Sequence, residues 1–311
     1  MSHLSRRQLL LTGSTAMFFS GTSTSSPTLA EPNRLSSFRY ALNFGTLRGF
    51  KLSLEEEIDL AAQAGYDAID LWLPELNTYR NNGKKLSDLR KRIEDHGLKV
   101  AGCVAFFSWI VDDDAVRQQG IEQMKREMEW CREIGGNRIA ATAAGTTNQR
   151  LDHFKILGQR YRTILEIGEQ QGVIPQLEIW GKSLTLGCLA DALAVAVYSE
   201  HPQAELLLDI FHLYRGGSSF ESLSLLNGQK LTNFHVNDYP LNPPREQAED
   251  KDRVYLGDGV APIKQIFRTL REIGFTGFLS FEVFNPDYWA TNNPLLVAKT
   301  GLEKMKMAVS L

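Results

Sequence analysis

The amino-acid sequence predicts an α/β protein, a (β/α)8 TIM barrel that forms a single domain. Short apolar runs alternate eight times with longer segments of helical periodicity between residues 39 and 307, and parallel strands need such long crossovers. After the N-terminal segment described below, about 280 residues remain, which is a usual length for an eight-unit barrel. A doubly wound sheet usually has fewer strands, and no G-x-G-x-x-G motif follows the first strand here.

The first half of the chain contains four predicted strand–helix units. Its strands are expected at residues 39–44, 68–72, 100–106 and 137–142. The first helix begins at Ser53, where Glu56 completes a capping box, and it ends at Gly65. The other helices are expected at residues 86–96, 114–134 and 152–171, and a glycine follows each of them.

The second half repeats the same cycle four times. Its strands are expected at residues 174–179, 206–210, 234–236 and 278–283. Its helices are expected at residues 189–198, 220–226, 262–273 and 293–307. Pro262 stands near the start of the third of these helices, where proline is favoured. A long loop, residues 237–260, comes between the seventh strand and its helix.

The N-terminal segment, residues 1–30, has the features of a twin-arginine signal peptide. A short basic start contains Arg6 and Arg7, an apolar run follows at residues 9–19, and a small-x-small site ends at Ala30. The apolar run is too short to span a bilayer. We therefore expect export to the periplasm, no membrane attachment after removal of the signal, and a barrel domain formed by residues 31–311.

Composition limits the partners that the chain can bind. The net charge is −3, and the sequence contains no block of lysine and arginine that could follow a phosphate backbone. Nucleic acid is therefore not expected as a partner, whereas a homo-oligomer stays open. The three cysteines match neither a metal motif nor a disulfide framework, so we interpret them as small buried apolar residues.

Ionisable residues terminate four consecutive predicted strands. These residues are Glu178, Asp209, His235 and Glu282. Active sites of this fold lie at the carboxyl ends of the strands, and buried charges need a partner or a metal. Any one of these residues alone could be a hydrogen-bonded buried polar group, but four at equivalent positions favour one divalent cation. The ligand set suits Mn²⁺ best, with Mg²⁺, Co²⁺ or Zn²⁺ as alternatives.

The segments around these residues also carry a family resemblance. L-E-I-W, L-D-I-F-H, F-H-V-N-D and S-F-E-V-F, in this order and spacing, resemble the xylose isomerase-like sugar isomerase/epimerase superfamily. The resemblance covers nearly the whole chain after the signal segment. The stretch D-R-V-Y-L-G-D-G, which begins at Asp252, is most similar to the 2-keto-myo-inositol isomerase branch.

The resemblance implies a function for each matching residue. It implies that Glu178, Asp209, His235 and Glu282 bind the metal, and that the two glutamates exchange a substrate proton through an enediolate. It implies that His212 binds substrate oxygens, with a supporting position beside the metal as the alternative. Epimerases of this superfamily have a glutamate and an arginine at the positions of Leu184 and Leu241, so an epimerase-type specificity is in doubt.

Further substrate-binding candidates lie in the loops after the strands. Lys182 could face the site or be solvated, and Arg253 and Arg245 lie in the long loop near the missing arginine position. Asn237 follows the predicted histidine ligand and could bind a hydroxyl group or cap the loop. Four aromatic residues and one glutamate follow strands two, three and five. They could contact a sugar or pack at the rim of the barrel, and they are Trp72, Glu75, Phe107, Trp109 and Trp180.

The sequence thus predicts a metal-dependent isomerase or epimerase that acts on a small sugar or cyclitol. The same enediolate could expel a leaving group, which would make the protein a lyase or dehydratase acting on keto sugars or 3-keto-glycosides. A non-enzymatic sugar-binding barrel is a third alternative. An endonuclease IV-like apurinic endonuclease shares the barrel, but it needs further histidines that this acidic chain lacks.

Overall fold

The computed structural model describes residues 38–310, and the predicted signal peptide lies outside the described residues. Eight parallel strands pair in sequence order, and β1 pairs with β8, so the sheet closes into a barrel. The strands are β1 (Arg39–Asn43), β2 (Ala68–Trp72), β3 (Lys99–Val104), β4 (Arg138–Ala141), β5 (Ile174–Glu178), β6 (Glu205–Asp209), β7 (Asn233–Val236) and β8 (Phe278–Phe281). The predicted (β/α)8 TIM barrel is confirmed.

Helices surround the strands. They are α1 (Leu54–Ala64), α2 (Leu73–Asn81), α3 (Leu86–Asp95), α4 (Asp114–Glu133), α5 (Phe154–Gln171), α6 (Leu189–Ser199), α7 (Ile210–Arg215), α8 (Ile263–Glu272), α9 (Pro286–Trp289) and α10 (Pro294–Val309). Short 3₁₀ helices occur at Phe44–Phe50, Phe220–Leu225, Gly228–Lys230 and Asp250–Asp252. Within residues 38–310, we find no helix with the length and apolar character that a membrane span requires.

Local capping explains where the first helix begins and ends. The Ser53 side chain accepts from the Glu56 amide, and the Glu56 side chain accepts from the Ser53 amide, as the predicted capping box requires. Gly65 ends the helix in the left-handed region at φ 92°, where a side chain would be strained.

Two helices depart from the sequence prediction because they begin directly at strand ends. The run after Asp209 is apolar and resembles a continuing strand, yet the Asp209 side chain accepts from the His212 amide and caps α7. The segment predicted as a helix at 220–226 is a 3₁₀ helix instead. After Trp72, Pro74 lies in the first turn of α2, where its missing amide hydrogen costs nothing.

The strand register brings the chemistry to one end of the barrel. Asp209 is the last residue of β6 and pairs with His235 of β7, and His235 in turn pairs with Ser280 of β8. Glu178 is the last residue of β5, and Glu282 follows β8 directly. These residues therefore lie at the carboxyl ends of four adjacent strands, above the apolar barrel core.

Candidate metal centre and reaction cavity

Three buried side chains form a compact group at the carboxyl ends of the strands. One ligand atom each from Asp209, His235 and Glu282 lies within 4.8 Å of the other two. His235 Nδ1 is 3.3 Å from Glu282 Oε2 and 3.9 Å from Asp209 Oδ2. None of the three residues is more than 4% exposed. Such a group can hold a cation between two carboxylates and one imidazole.

Asp70 determines which nitrogen of His235 faces this group. Its Oδ2 atom lies 2.9 Å from His235 Nε2 and accepts from Asn233 Nδ2 at 2.7 Å and from Ser280 Oγ at 3.1 Å. A carboxylate only accepts, so Nε2 carries a proton and Nδ1 is left toward Asp209 and Glu282. Burial opposes a charged imidazole, but Glu282 and then Asp70 outweigh it and raise the pKa of His235 well above its usual value.

Sequence reasoning missed Asp70, although a signal was present. Asp70 is the one charged residue in the run A-I-D-L-W of β2, and it is 1% exposed. A charge in the middle of a fully buried strand needs a partner. The sequence of β2 therefore indicated that Asp70 has a buried polar partner. It did not indicate which strand provides that partner.

Asn237 contacts the group from the end of β7 in a different manner from the one expected. Its side-chain amide donates to Asp209 Oδ2 at 3.1 Å and to the Glu282 carbonyl at 3.2 Å, and its carbonyl accepts from the Phe211 amide. The residue is fully buried and its polar atoms are already paired. The expected substrate contact of Asn237 is thus corrected: the side chain orients Asp209.

Arg253 extends from the long loop into the same group. Its Nη1 atom donates to Asp209 Oδ2 at 3.0 Å and to Glu282 Oε2 at 2.6 Å, while Nη2 donates to Asp250 Oδ1 at 2.8 Å. The side chain is 1% exposed. Burial would raise the pKa of Glu282, but His235 and then Arg253 hold it below its usual value. Arg253 thus supplies a buried positive charge to this end of the barrel, and its expected contact with a substrate stays a prediction.

His212 lies beside Arg253 and is neutral. Its Nε2 atom accepts from Arg253 Nη2 at 3.1 Å, and its buried Nδ1 atom has no partner among residues 38–310. Burial and the Arg253 charge lower the pKa of His212 to about 4. Because Nε2 accepts, Nδ1 carries the proton of the neutral ring, and His212 lines the adjoining cavity.

Glu178 lines this cavity but lies outside the compact group of three. It is 4% exposed, and its buried Oε2 atom has no hydrogen-bond partner within the described residues. Burial raises its pKa to about 8, against a lowering effect of His235. A buried acid without a partner requires an explanation, and a ligand or an ion in the cavity would provide one.

The cavity has a volume of about 280 Å³ and combines rings with polar groups. Its aromatic residues are Trp72, Phe106, Trp180 and Phe284. Phe106 connects Trp72 and Trp180, with ring centroids 5.3 and 5.8 Å away. Rings can cover the C–H face of a sugar while a few polar groups bind its oxygens.

The remaining candidates lie at different depths. Lys182 lines the cavity at its rim, where it is half-exposed and its Nζ atom donates to Asp250 Oδ2 at 2.9 Å. Trp109 is fully buried, packs against Tyr161 and donates to the Thr142 carbonyl. The expectation that Trp109 stacks on a substrate is therefore wrong, because its ring belongs to the protein core.

Fold and site together define a TIM-barrel protein with an acidic, histidine-containing centre at the carboxyl ends of its strands. A model of the family described as xylose isomerase-like TIM barrel matches residues 58–307. The chain belongs to this family, and the family predicted from the sequence is confirmed.

Two relatives of the chain are named as an isomerase and an epimerase. An inosose isomerase of Bacillus velezensis is 28% identical over 265 residues, which covers 83% of this chain and 92% of that protein. A 3-dehydro-D-guloside 4-epimerase of Escherichia coli is 22% identical and covers 63% of this chain and 76% of its own length. A crystal structure of an IOLI protein with a bound zinc atom superposes with a TM-score of 0.81 at 25% identity, over 88% of this chain and 98% of that one.

Proposed function

We propose that the protein is a divalent-metal-dependent isomerase that moves a proton beside the carbonyl group of a sugar or keto-inositol. The observation that carries the proposal is the compact group of Asp209, His235 and Glu282, of which Glu282 lines a cavity walled by aromatic rings. The isomerase relatives and the zinc-containing structural neighbour support the reaction class.

The residues present fit a bound metal ion. Asp209, His235 and Glu282 offer two carboxylates and an imidazole nitrogen that has no aligned hydrogen-bond partner, and the unpartnered Oε2 atom of Glu178 is available as a further ligand. The metal would polarise the substrate carbonyl and stabilise negative charge on its oxygen. We retain Mn²⁺ as the predicted ion because the set is rich in oxygen, with Zn²⁺ as the main alternative.

The protein residues then have distinct functions. Glu178 and Glu282 reach the cavity from β5 and β8, three strands apart, and exchange the substrate proton. His212 donates from Nδ1 to a substrate oxygen. Arg253 keeps Glu282 ionised and in place, and the aromatic residues exclude water from the reacting carbon.

Hydrogen exchange with solvent tests this reaction directly. In deuterated water, the metal-loaded protein should introduce one deuteron beside the carbonyl of a substrate from a panel of keto-inositols, ketohexoses and 3-keto-glycosides. NMR detects the exchange, and EDTA should abolish it. The absence of exchange into every member of the panel, with metal bound, would contradict the proposal.

Elimination of a leaving group is a second candidate. Leu184 and Leu241 stand where the epimerases have a glutamate and an arginine. They are 52% and 71% exposed, so this chain has no polar side chain from these two positions in the cavity. Arg253 provides the buried guanidinium of the cavity in place of the missing arginine. A relative is named for a guloside substrate, and the aglycone of a glycoside can serve as a leaving group. The same NMR spectra distinguish the reactions, because a lyase produces an alkene or a released aglycone.

A further inference from the structure

A second cavity lies on the same face of the barrel as the reaction cavity. It has a volume of about 300 Å³ and is bounded by the loop after β1, the start of α1, and α2, which follows β2. Loops that follow barrel strands form the catalytic face. Both cavities are near the lower limit of ligand-binding sites, about 300–1,000 Å³, so each accommodates one small ring.

Arg48 is common to the two cavities. It lines both, and its guanidinium carbon lies 4.1 Å from the centre of the Trp72 ring, which lines the reaction cavity. Its guanidinium makes no hydrogen bond to any residue in the described range 38–310, and the side chain is exposed. Arg48 therefore belongs to both linings, and its donors are available to a molecule that extends through both cavities.

The second cavity contains a buried acid that the fold leaves unpaired. Glu57 of α1 is 4% exposed, lines the cavity, and has no side-chain hydrogen bond within residues 38–310. Glu75 of α2 faces the same space, and its buried Oε2 atom also has no partner there. Buried polar groups are nearly always hydrogen-bonded, so the unpartnered Oε2 atom of Glu75, with the Glu57 carboxyl group beside the same cavity, indicates a polar ligand.

The charges of the lining favour a neutral ligand with hydroxyl groups. Glu75 would repel an anion, and Arg48 and Lys51, which line the same cavity, would repel a cation. Burial, and then the charge of Glu75, raise the pKa of Glu57 to about 9. The Glu57 carboxyl group is consequently protonated near neutral pH and can both donate and accept, as a sugar hydroxyl requires.

We propose that the cavity between α1 and α2 binds the second ring of a glycoside whose keto ring occupies the reaction cavity. The placement of the keto ring in the reaction cavity rests on the proposed function, whereas the placement of the second ring does not. The substrate class would then be two-ring keto-glycosides rather than free monosaccharides.

A cavity-filling variant tests the proposal. Thr78 lines the cavity from α2, whereas the adjacent exposed Asn77 does not, so Thr78→Trp and Asn77→Trp form a matched pair. The probes are methyl 3-keto-β-galactoside and 3-ketolactose, with solvent deuterium exchange as the readout. Thr78→Trp should lower kcat/KM for 3-ketolactose by about tenfold or more, which is the loss of one or two good hydrogen bonds. The one-ring probe should change less than about twofold, and Asn77→Trp should leave both values near wild type.

Equal effects of Thr78→Trp on both probes, or no effect on 3-ketolactose, would overturn the inference. Calorimetric measurement of lactose and methyl β-galactoside binding tests the second subsite independently of the reaction. If wild type exchanges neither keto probe, the proposed function fails for these substrates. The second subsite would still be supported if wild type binds lactose more tightly than methyl β-galactoside and Thr78→Trp removes this difference. Identical binding of the two sugars to wild type would refute it.

Glu57→Met provides an independent test that does not depend on a blocked cavity. Removing an unpaired buried acid should stabilise the fold, so we expect the melting temperature to rise by about 2 °C or more. Binding of lactose should weaken at the same time. A loss of stability with unchanged lactose binding would show that Glu57 serves the fold alone and would contradict the proposal.

Discussion

The imidazole of His235 illustrates how one buried contact selects the chemistry of a site. Asp70 accepts the Nε2 proton and is itself held by Asn233 and Ser280. The Nδ1 atom lies toward the two carboxylates, 3.3 Å from Glu282 and 3.9 Å from Asp209, and a metal ion bound there would replace its proton. Asp70 therefore acts as a positioning residue, since its side chain contacts His235 and does not line the cavity.

Replacing Asp70 by asparagine should weaken metal binding about 10–100-fold. The new amide can donate to Nε2, which would move the imidazole proton to Nδ1 and block the ligand atom. Competition with a fluorescent chelator measures the affinity. The exposed Asp95→Asn on α3 is the control and should bind metal like wild type. Unchanged affinity in Asp70→Asn would show that Asp70 does not orient the ligand.

Arg253 should matter most when no metal is bound. Arg253→Met leaves Asp209, Glu282 and Asp250 without their shared cation, and such a loss typically costs about 3–5 kcal/mol. A divalent metal would compensate part of this charge. We therefore expect metal to increase the free energy of unfolding more in Arg253→Met than in wild type.

Urea unfolding with EDTA and with added Mn²⁺ or Zn²⁺ measures this difference. Arg245→Met removes an exposed arginine of the same loop that pairs only with Glu246 among the described residues. This control should behave like wild type in both conditions. An equal gain from metal in Arg253→Met and wild type would show that Arg253 and the ion do not share the carboxylates.

The helices position the site in two ways. Asp209 caps α7, since its Oδ1 atom accepts from the His212 amide, while its Oδ2 atom lies toward His235. The outer helices hold the strands through close packing. α5 and α6 are in close contact at Gly158, where an added Cβ would lie 2.6 Å from the backbone carbon of Tyr198.

Gly158→Ala should consequently destabilise the barrel by about 1–3 kcal/mol, since overpacking forces the two helices apart. Alanine has the better helix propensity, so a loss of stability would identify the helix contact as its cause. The neighbouring exposed Gln159→Ala should change stability by less than about 0.5 kcal/mol. Thermal unfolding measures both variants, and a gain of stability in Gly158→Ala would contradict the close-packing argument.

The whole chain combines a barrel whose site is buried with an N-terminal segment that predicts export. Twin-arginine cargo folds before it crosses the membrane, so a barrel that is already folded is compatible with the predicted route. The three cysteines of the chain are free in the structure.

Export of the full chain should depend on both arginines of the pair. Replacing Arg6 and Arg7 by lysine retains the charge but removes the motif that the export machinery reads. We expect the protein to leave the periplasmic fraction and accumulate, uncleaved, in the cytoplasm. Lys51→Arg is a control outside the segment and should be exported normally. Unchanged periplasmic levels of the lysine variant would contradict the predicted route.

Periodicity and strand-end chemistry determined much of this protein before any fold was known. The eight alternating units follow from local patterns of burial, and Asp209, His235 and Glu282 could be selected because each charged side chain ends an apolar run. Both are properties of short segments, so they can be predicted from neighbouring residues alone.

Contacts between distant segments were decided only by the tertiary structure. Asp70 and His235 are 165 residues apart, and Arg253 reaches Asp209 from a loop 44 residues away. Trp109 and Asn237 have the side chains that a sugar site needs, yet packing directs both away from the cavity lining. A strand fixes which face a residue points toward, but the closure of the barrel determines which partner stands there.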